Sequence, residues 1–290
     1  MFLDILINGL VVSGMYAVLA VGFALVFGVA KILNMAHTAF YMLAAYSMLL
    51  VRSYLGGSII LSSLVSIAFI SIIGVICFKL FFDRIKVHET TVMIIAIALA
   101  MLFQEILLLI FGGGYRGVPP YIDGFISLLG TRVANQRLLA IAIAAMALAG
   151  LWLLLSRTKL GNAIRAVAED QEIANLMGIN VSHIFIIVMG ISVGLAAIGG
   201  VVMAPIDMIN PLMWMPPLTI VLASVVLGGL GSIWGAVLGA VILGYTETLV
   251  VFLVPGGSFL KGAVSLTIMV IVLLVRPEGL FGVAFEEERL

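Results

Sequence analysis

Residues 157–181, RTKLGNAIRAVAEDQEIANLMGINV, are the one long polar interruption late in a chain that is otherwise almost continuously apolar. Ile164, Val167 and Ala168 share a face at helical spacing, and Glu169, Asp170 and Glu172 give the next turn the acidic start that a helix N-terminus favours. Gly178 supplies a stop, since a helix commonly ends on a glycine that adopts positive φ. The spacing predicts two short helices, about 160–168 and 170–177, with a corner near Glu169 and Asp170. Polar helices of this length between long apolar runs form a knob on a membrane surface.

Working outward, the chain has 64% hydrophobic and 10% charged residues over 290 positions and a mean hydropathy of +1.33. A soluble protein carries about a quarter charged residues. Several runs reach the roughly 20 apolar residues that span a hydrocarbon core as a helix, and none alternates as a barrel strand does. In lipid the backbone must satisfy its own hydrogen bonds, so the fold class is an all-α integral membrane protein, a polytopic helical bundle. Residues 1–290 read as one transmembrane domain with the 157–181 loop as its surface element. Spans are expected at about 5–29, a second from a polar corner at Lys31–His37 to Val51, then 58–82, 91–111, 138–156, 184–204, 233–254 and 260–275. A piece at 218–230 is too short for a full crossing and reads as broken, tilted or re-entrant, which makes the count eight or nine. The loop at 112–136 has room for a short surface helix. MFLDILINGL has no basic region and no small-residue cleavage site, so it does not read as a removable signal peptide.

Charge sets the orientation. With the 157–181 loop on the cytoplasmic side and the 218–230 piece crossing, nine of the 14 basic residues fall inside (Lys31, Lys79, Arg84, Lys86, Arg157, Lys159, Arg165, Arg276, Arg289) and five outside (Arg52, Arg116, Arg132, Arg137, Lys261). This bias places the N-terminus out and the C-terminus in. The 14 basic and 14 acidic residues balance, and no basic stripe suggests nucleic acid. The single cysteine, Cys77, excludes an intrachain disulfide and a cysteine metal site.

Candidate chemistry is sparse. Of the acidic residues only Glu105 and Glu247 fall well inside spans, where a carboxylate must be neutral, paired or facing water. Asn34 and His37, with Thr38 beside them, sit where the first polar corner enters the second span. Asn34, His37, Thr38 and Glu247 are therefore the candidates for a substrate pathway, with hydrogen bonding between helices as the plainer role of each. No second His or Cys is spaced for a metal site, and no nucleophile elbow or His-Glu-x-x-His is present, so catalysis and metal binding have no support. The GGGYRG at 112–117 lacks the Lys-Ser/Thr of a phosphate loop. Gly190 and Gly194, and then Gly231, Gly235 and Gly239, recur every four residues, a spacing that puts small residues on one helix face for close packing.

Three stretches carry a family resemblance. GNAIRAVAEDQEIANLMGINV (161–181) is similar to the cytoplasmic loop of the branched-chain amino-acid ABC permeases, the LivH and LivM type. GMYAVLAVGFALVFGVAKILNMAHTAFYMLAAY (14–46) resembles that family's N-terminal signature, with Thr38 and Ala39 where Gly-Glu usually follows the histidine, so no carboxylate stands there. VLGGLGSIWGAVLGAV (226–241) resembles its glycine-rich segment. The resemblance implies that Arg165, Ala166, Glu169, Asp170, Ala174 and Gly178 form the coupling element seated in a cleft of an ATPase. It also implies a second permease subunit of the LivM type in a heterodimer, two ABC ATPases, a periplasmic or lipid-anchored substrate-binding protein, and a bacterial inner-membrane location. ATP and Mg would be bound by the ATPases, leaving this chain without a cofactor of its own and not itself an enzyme. The implied function is import of branched-chain amino acids. The different-class alternative is a self-sufficient secondary transporter or channel, and within the ABC reading related permeases serve urea and amides.

Overall fold

The computed structural model describes residues 2–56, 58–82, 89–128, 131–276 and 278–281. Helices α1 (Phe2–Ala30), α2 (His37–Leu55), α3 (Ile59–Cys77) and α4 (Glu89–Phe111) are followed by an antiparallel hairpin of β1 (Phe125–Leu128) and β2 (Thr131–Ala134). Then come α5 (Asn135–Arg157), α6 (Lys159–Glu169), α7 (Gln171–Leu176), α8 (Val181–Met203), α9 (Met215–Gly228), α10 (Ile233–Leu253) and α11 (Gly257–Val275). Seven of these (α1, α3, α4, α5, α8, α10 and α11) are long and apolar enough to cross a membrane. The 19-residue α2 and the 14-residue α9 complete the eight or nine segments expected. The loop 83–88, and with it Arg84 and Lys86, lies outside the described residues, as does Arg289.

Side chains fix many of the boundaries. The Ser58, Thr158, Asp170, Asn180 and Ser232 side chains accept hydrogen bonds from the first-turn N–H groups of α3, α6, α7, α8 and α10, which have no partner within the helix itself. Pro216 and Pro217 open α9, where a missing N–H costs nothing. The 112–134 loop forms a hairpin rather than a surface helix, because Phe125, Ile126 and Val133 favour a pleated strand over a helix. Arg116 and Ile209 exchange two backbone hydrogen bonds (2.9 and 2.8 Å), pinning this loop to the segment between α8 and α9.

The bundle is organised around α1, which packs against α10, α8, α5 and α9. Its most apolar window is 72% buried, against 6% for α11 and 17% for α5. Backbones approach closely where glycine allows it: a Cβ at Gly239 would run into the Ser224 backbone, and one at Gly235 into Gly228. Gly190 and Gly194 face α3, where an added Cβ would lie 3.3 Å from Val75 and 3.3 Å from the Ser71 hydroxyl. Gly231 is different. It lies outside α10, in the turn before it, at φ +87°, and nothing but Gly28 Cα comes within 4 Å of its Cβ position. Its four-residue spacing to Gly235 therefore does not mark a shared helix face.

Two non-helical segments run inside the bundle from opposite ends. The first, 31–36, follows α1 and buries Ile32, Asn34 and Ala36. The second, 204–214, follows α8 and buries Ile209, Met213 and Trp214. Irregular backbone at membrane depth is tolerated only where protein or a water-filled cavity surrounds it.

Candidate functional site

Asn34 and His37 belong to the first buried segment. The Asn34 side chain accepts from the Ala36 N–H (3.1 Å), while its own carbonyl accepts from the His37 N–H (3.1 Å), closing the corner on itself. His37 lies 3.0 Å through Nε2 from the Leu19 carbonyl and 3.2 Å through Nδ1 from the Ser192 hydroxyl, which in turn donates to the Gly22 carbonyl at 2.8 Å. A carbonyl only accepts, so Nε2 carries the ring's proton, and the single Ser192 proton is shared between the Gly22 carbonyl and the unprotonated Nδ1. His37 thus clamps α1 to α8 about eleven residues, roughly 16 Å, before α1 ends. Thr38 is fully buried, and its hydroxyl has no hydrogen-bond partner among the described residues.

Glu247 lies on α10 at 1% exposure, where the Tyr16 hydroxyl of α1 donates to Oε2 (3.1 Å) and the Ser265 hydroxyl of α11 donates to Oε1 (2.9 Å). The carboxylate therefore ties three helices together. Glu105 is exposed on α4 and, among the described residues, accepts from the Gln104 amide (3.2 Å).

At the far end from the hairpin, α6 and α7 form the expected pair of short helices, with their corner at Asp170. α6 turns Gly161, Ile164 and Val167 inward against α5 and α1. The Gln171 side chain donates to the Val29 carbonyl (3.1 Å), joining the knob to the last turn of α1. Ala174 is buried at 3%, whereas Ile173, Leu176 and Met177 are 59%, 85% and 79% exposed. Asp170 caps α7 by accepting from the Glu172 and Ile173 N–H groups (2.8 and 2.9 Å). Arg165 bonds Asn162 (2.7 Å), Ala166 is half-buried beside it, Glu169 is exposed, and Gly178 ends the knob at φ +84°. The apolar tip went unseen in the sequence because Ile173 and Leu176 pass equally well for an inward helical face.

Two clefts flank α1. The one at the hairpin end has a volume of about 760 Å³ and uses α1 between Asn8 and Leu19, together with residues of the 203–217 segment, α10 and α11. The one at the knob end, about 840 Å³, uses α1 from Val21 to Val29 and Lys31, with residues of α5, α6 and the α9–α10 turn. They back onto each other at the level of the His37 clamp. Their charges differ. Asp207, Glu247, Arg137 and Lys261 line the hairpin-end cleft, while Lys31 and Arg165 are the charged groups lining the other among the described residues. Asp207 is itself open to the hairpin-end cleft.

A bundle of membrane-spanning helices, interrupted by buried irregular segments and opening to both ends beside one central helix, has the build of a polytopic transporter. A family model described as the permease component of the branched-chain amino acid transport system matches residues 5–273. The chain belongs to that family. It is 30% identical to the high-affinity branched-chain amino acid transport system permease protein BraD of Pseudomonas aeruginosa, over 97% of this chain and 96% of that one. It is 28% identical to the permease protein LivH of Salmonella typhimurium over the same shares. The fold is similar to the solved structure of PsaBC from Streptococcus pneumoniae in complex with Fab, with a TM-score of 0.55, 12% identity, and coverage of 94% of this chain and 92% of that one.

Proposed function

We propose that this chain is the membrane-spanning permease subunit of an ATP-driven importer of leucine, isoleucine and valine. The observation that carries the proposal is the family match, which takes in every span from α1 to α11. The knob supports it mechanically: an exposed apolar tip on α7 suits a cleft in an ATPase, and the Gln171 bond to Val29 gives motion at the knob a direct link to α1. In this reading residues 1–290 form one permease domain and 157–181 is its coupling loop, facing the cytoplasm, with the N-terminus outside and the C-terminus inside. ATP and Mg are held by two partner ATPases, a LivM-type chain completes the permease pair, and a periplasmic or lipid-anchored binding protein delivers substrate. The family match argues against the self-sufficient secondary transporter or channel.

Selectivity follows from the walls. The walls of the knob-end cleft are mostly apolar, with Lys31 and Arg165 their charged groups among the described residues, so a substrate with a strongly hydrated side chain would lose water there with little to replace it. Vesicles reconstituted with the permease pair, the ATPases and the cognate binding protein are expected to take up leucine, isoleucine and valine on ATP addition and to exclude lysine and glutamate. Lysine or glutamate uptake equal to leucine would overturn the substrate assignment. Uptake by the lone chain, driven by an ion gradient, would overturn the ABC reading.

A further inference from the structure

The hairpin-end cleft holds opposite charges that have not closed on each other. Asp207, an exposed residue of the 204–214 segment, lines this cleft together with Lys261 of α11 and Arg137 of α5. Among the described residues it accepts no hydrogen bond and forms no ion pair within 4 Å. Charges of both signs on the lining of one cleft offer a partner to each end of a zwitterion. Glu247, at the floor of the same cleft, is already engaged by Tyr16 and Ser265, which leaves Asp207 as the available anion. The volume of about 760 Å³ lies within the roughly 300–1,000 Å³ of small-molecule sites, which combine apolar walls with a few orienting polar groups. Val11, Met15, Met213 and Ile220 supply such a wall. The knob-end cleft, whose charged lining among the described residues is Lys31 and Arg165, provides no partner for an ammonium.

We propose that the hairpin-end cleft is a binding site for the transported amino acid, with its ammonium at Asp207, its carboxylate at Arg137 and Lys261, and its aliphatic side chain on the apolar wall. The assignment rests on the reading of the chain as an amino-acid permease and deepens it by naming the groups that recognise the zwitterion.

Two measurements test it. In vesicles with the full assembly, Asp207→Asn and Arg137→Gln are each expected to lower leucine uptake about tenfold or more, the scale of one lost charge-assisted hydrogen bond. Asp123→Asn, an exposed change on the same end of the molecule but outside the cleft, is expected to leave uptake unchanged. In a Cys77→Ala background, Thr219→Cys places a thiol on the cleft wall. Leucine is expected to slow its reaction with an impermeant thiol reagent, while leucinamide and 4-methylpentanoate, each lacking one charge, do so at least about tenfold less effectively. The protection is expected to disappear in the combined Asp207→Asn variant. Equal protection by all three compounds, or no protection by any, overturns the site. A wild-type assembly that imports no aliphatic amino acid overturns the proposed function instead, and the labelling experiment still decides whether the cleft reads both charges.

Discussion

Asp170 shows how a residue picked out for its charge has a second, local duty. Its carboxylate closes the first turn of α7 through two backbone N–H groups, so its replacement changes both the knob's surface and its shape. Asp170→Asn keeps an accepting oxygen and is expected to retain most uptake, whereas Asp170→Ala loses the cap, worth about 1 kcal/mol, and lowers it. Glu169 caps nothing and is exposed. Glu169→Arg is expected to leave the protein inserted while ATP-driven uptake collapses; wild-type uptake with unchanged ATPase association would remove Glu169 from the coupling surface. His37 was legible as a polar group at a corner, but its clamp was not, because Leu19 and Ser192 are remote in sequence and one of the two offers only its backbone. His37→Phe leaves that carbonyl and hydroxyl without the ring's nitrogens, at a cost of roughly 1–3 kcal/mol. A lowered melting temperature of the detergent-solubilised assembly checks it, and an unchanged one would show that water or a shifted side chain replaces the ring.

At the scale of elements, the apolar runs read directly as helices because length and hydropathy alone decide a span. The irregular segments did not. Nothing in K-I-L-N-M-A says that this stretch turns back into the bundle instead of lying at its surface, and that placement depends on partners on α1 and α8. The glycine spacing was half legible. It marks the faces of α8 and α10, but it ran on through Gly231, whose positive φ belongs to a turn. The α9–α10 crossing is the tightest test of that packing, since Ser224 and Gly228 face Gly239 and Gly235 through backbone atoms that have nowhere to move. Gly239→Leu and Gly235→Trp are therefore expected to cut the yield of folded protein and abolish uptake, while Glu105→Gln, on an exposed stretch of α4, leaves both near wild type. Monodispersity on gel filtration, measured beside uptake, separates a folding failure from a transport failure.

For the whole molecule, α1 begins at the hairpin end and α11 finishes at the knob end, since residues 280 and 281 bond back to Leu227 and Gly228 at the foot of α9. Single cysteines in a Cys77→Ala background test which end is which: Ser53→Cys is expected to react from outside whole cells and Thr158→Cys only after permeabilisation. The reverse pattern would invert the orientation and with it the docking surface. Composition revealed the membrane bundle, and the three signature stretches revealed the family. The charged cleft stayed hidden because Arg137, Asp207 and Lys261 each read singly as an ordinary loop or helix-end charge until the fold brought them to one space. The knob's apolar tip has a consequence for the life of the subunit in the cell. If the proposed ATPase seats on this tip, a chain made in excess of it leaves Ile173, Leu176 and Met177 uncovered, and exposed apolar patches of this kind promote aggregation. In that reading the lifetime of each newly synthesised copy is expected to depend on the supply of the partner that covers α7, and matched synthesis of the subunits follows from that one surface.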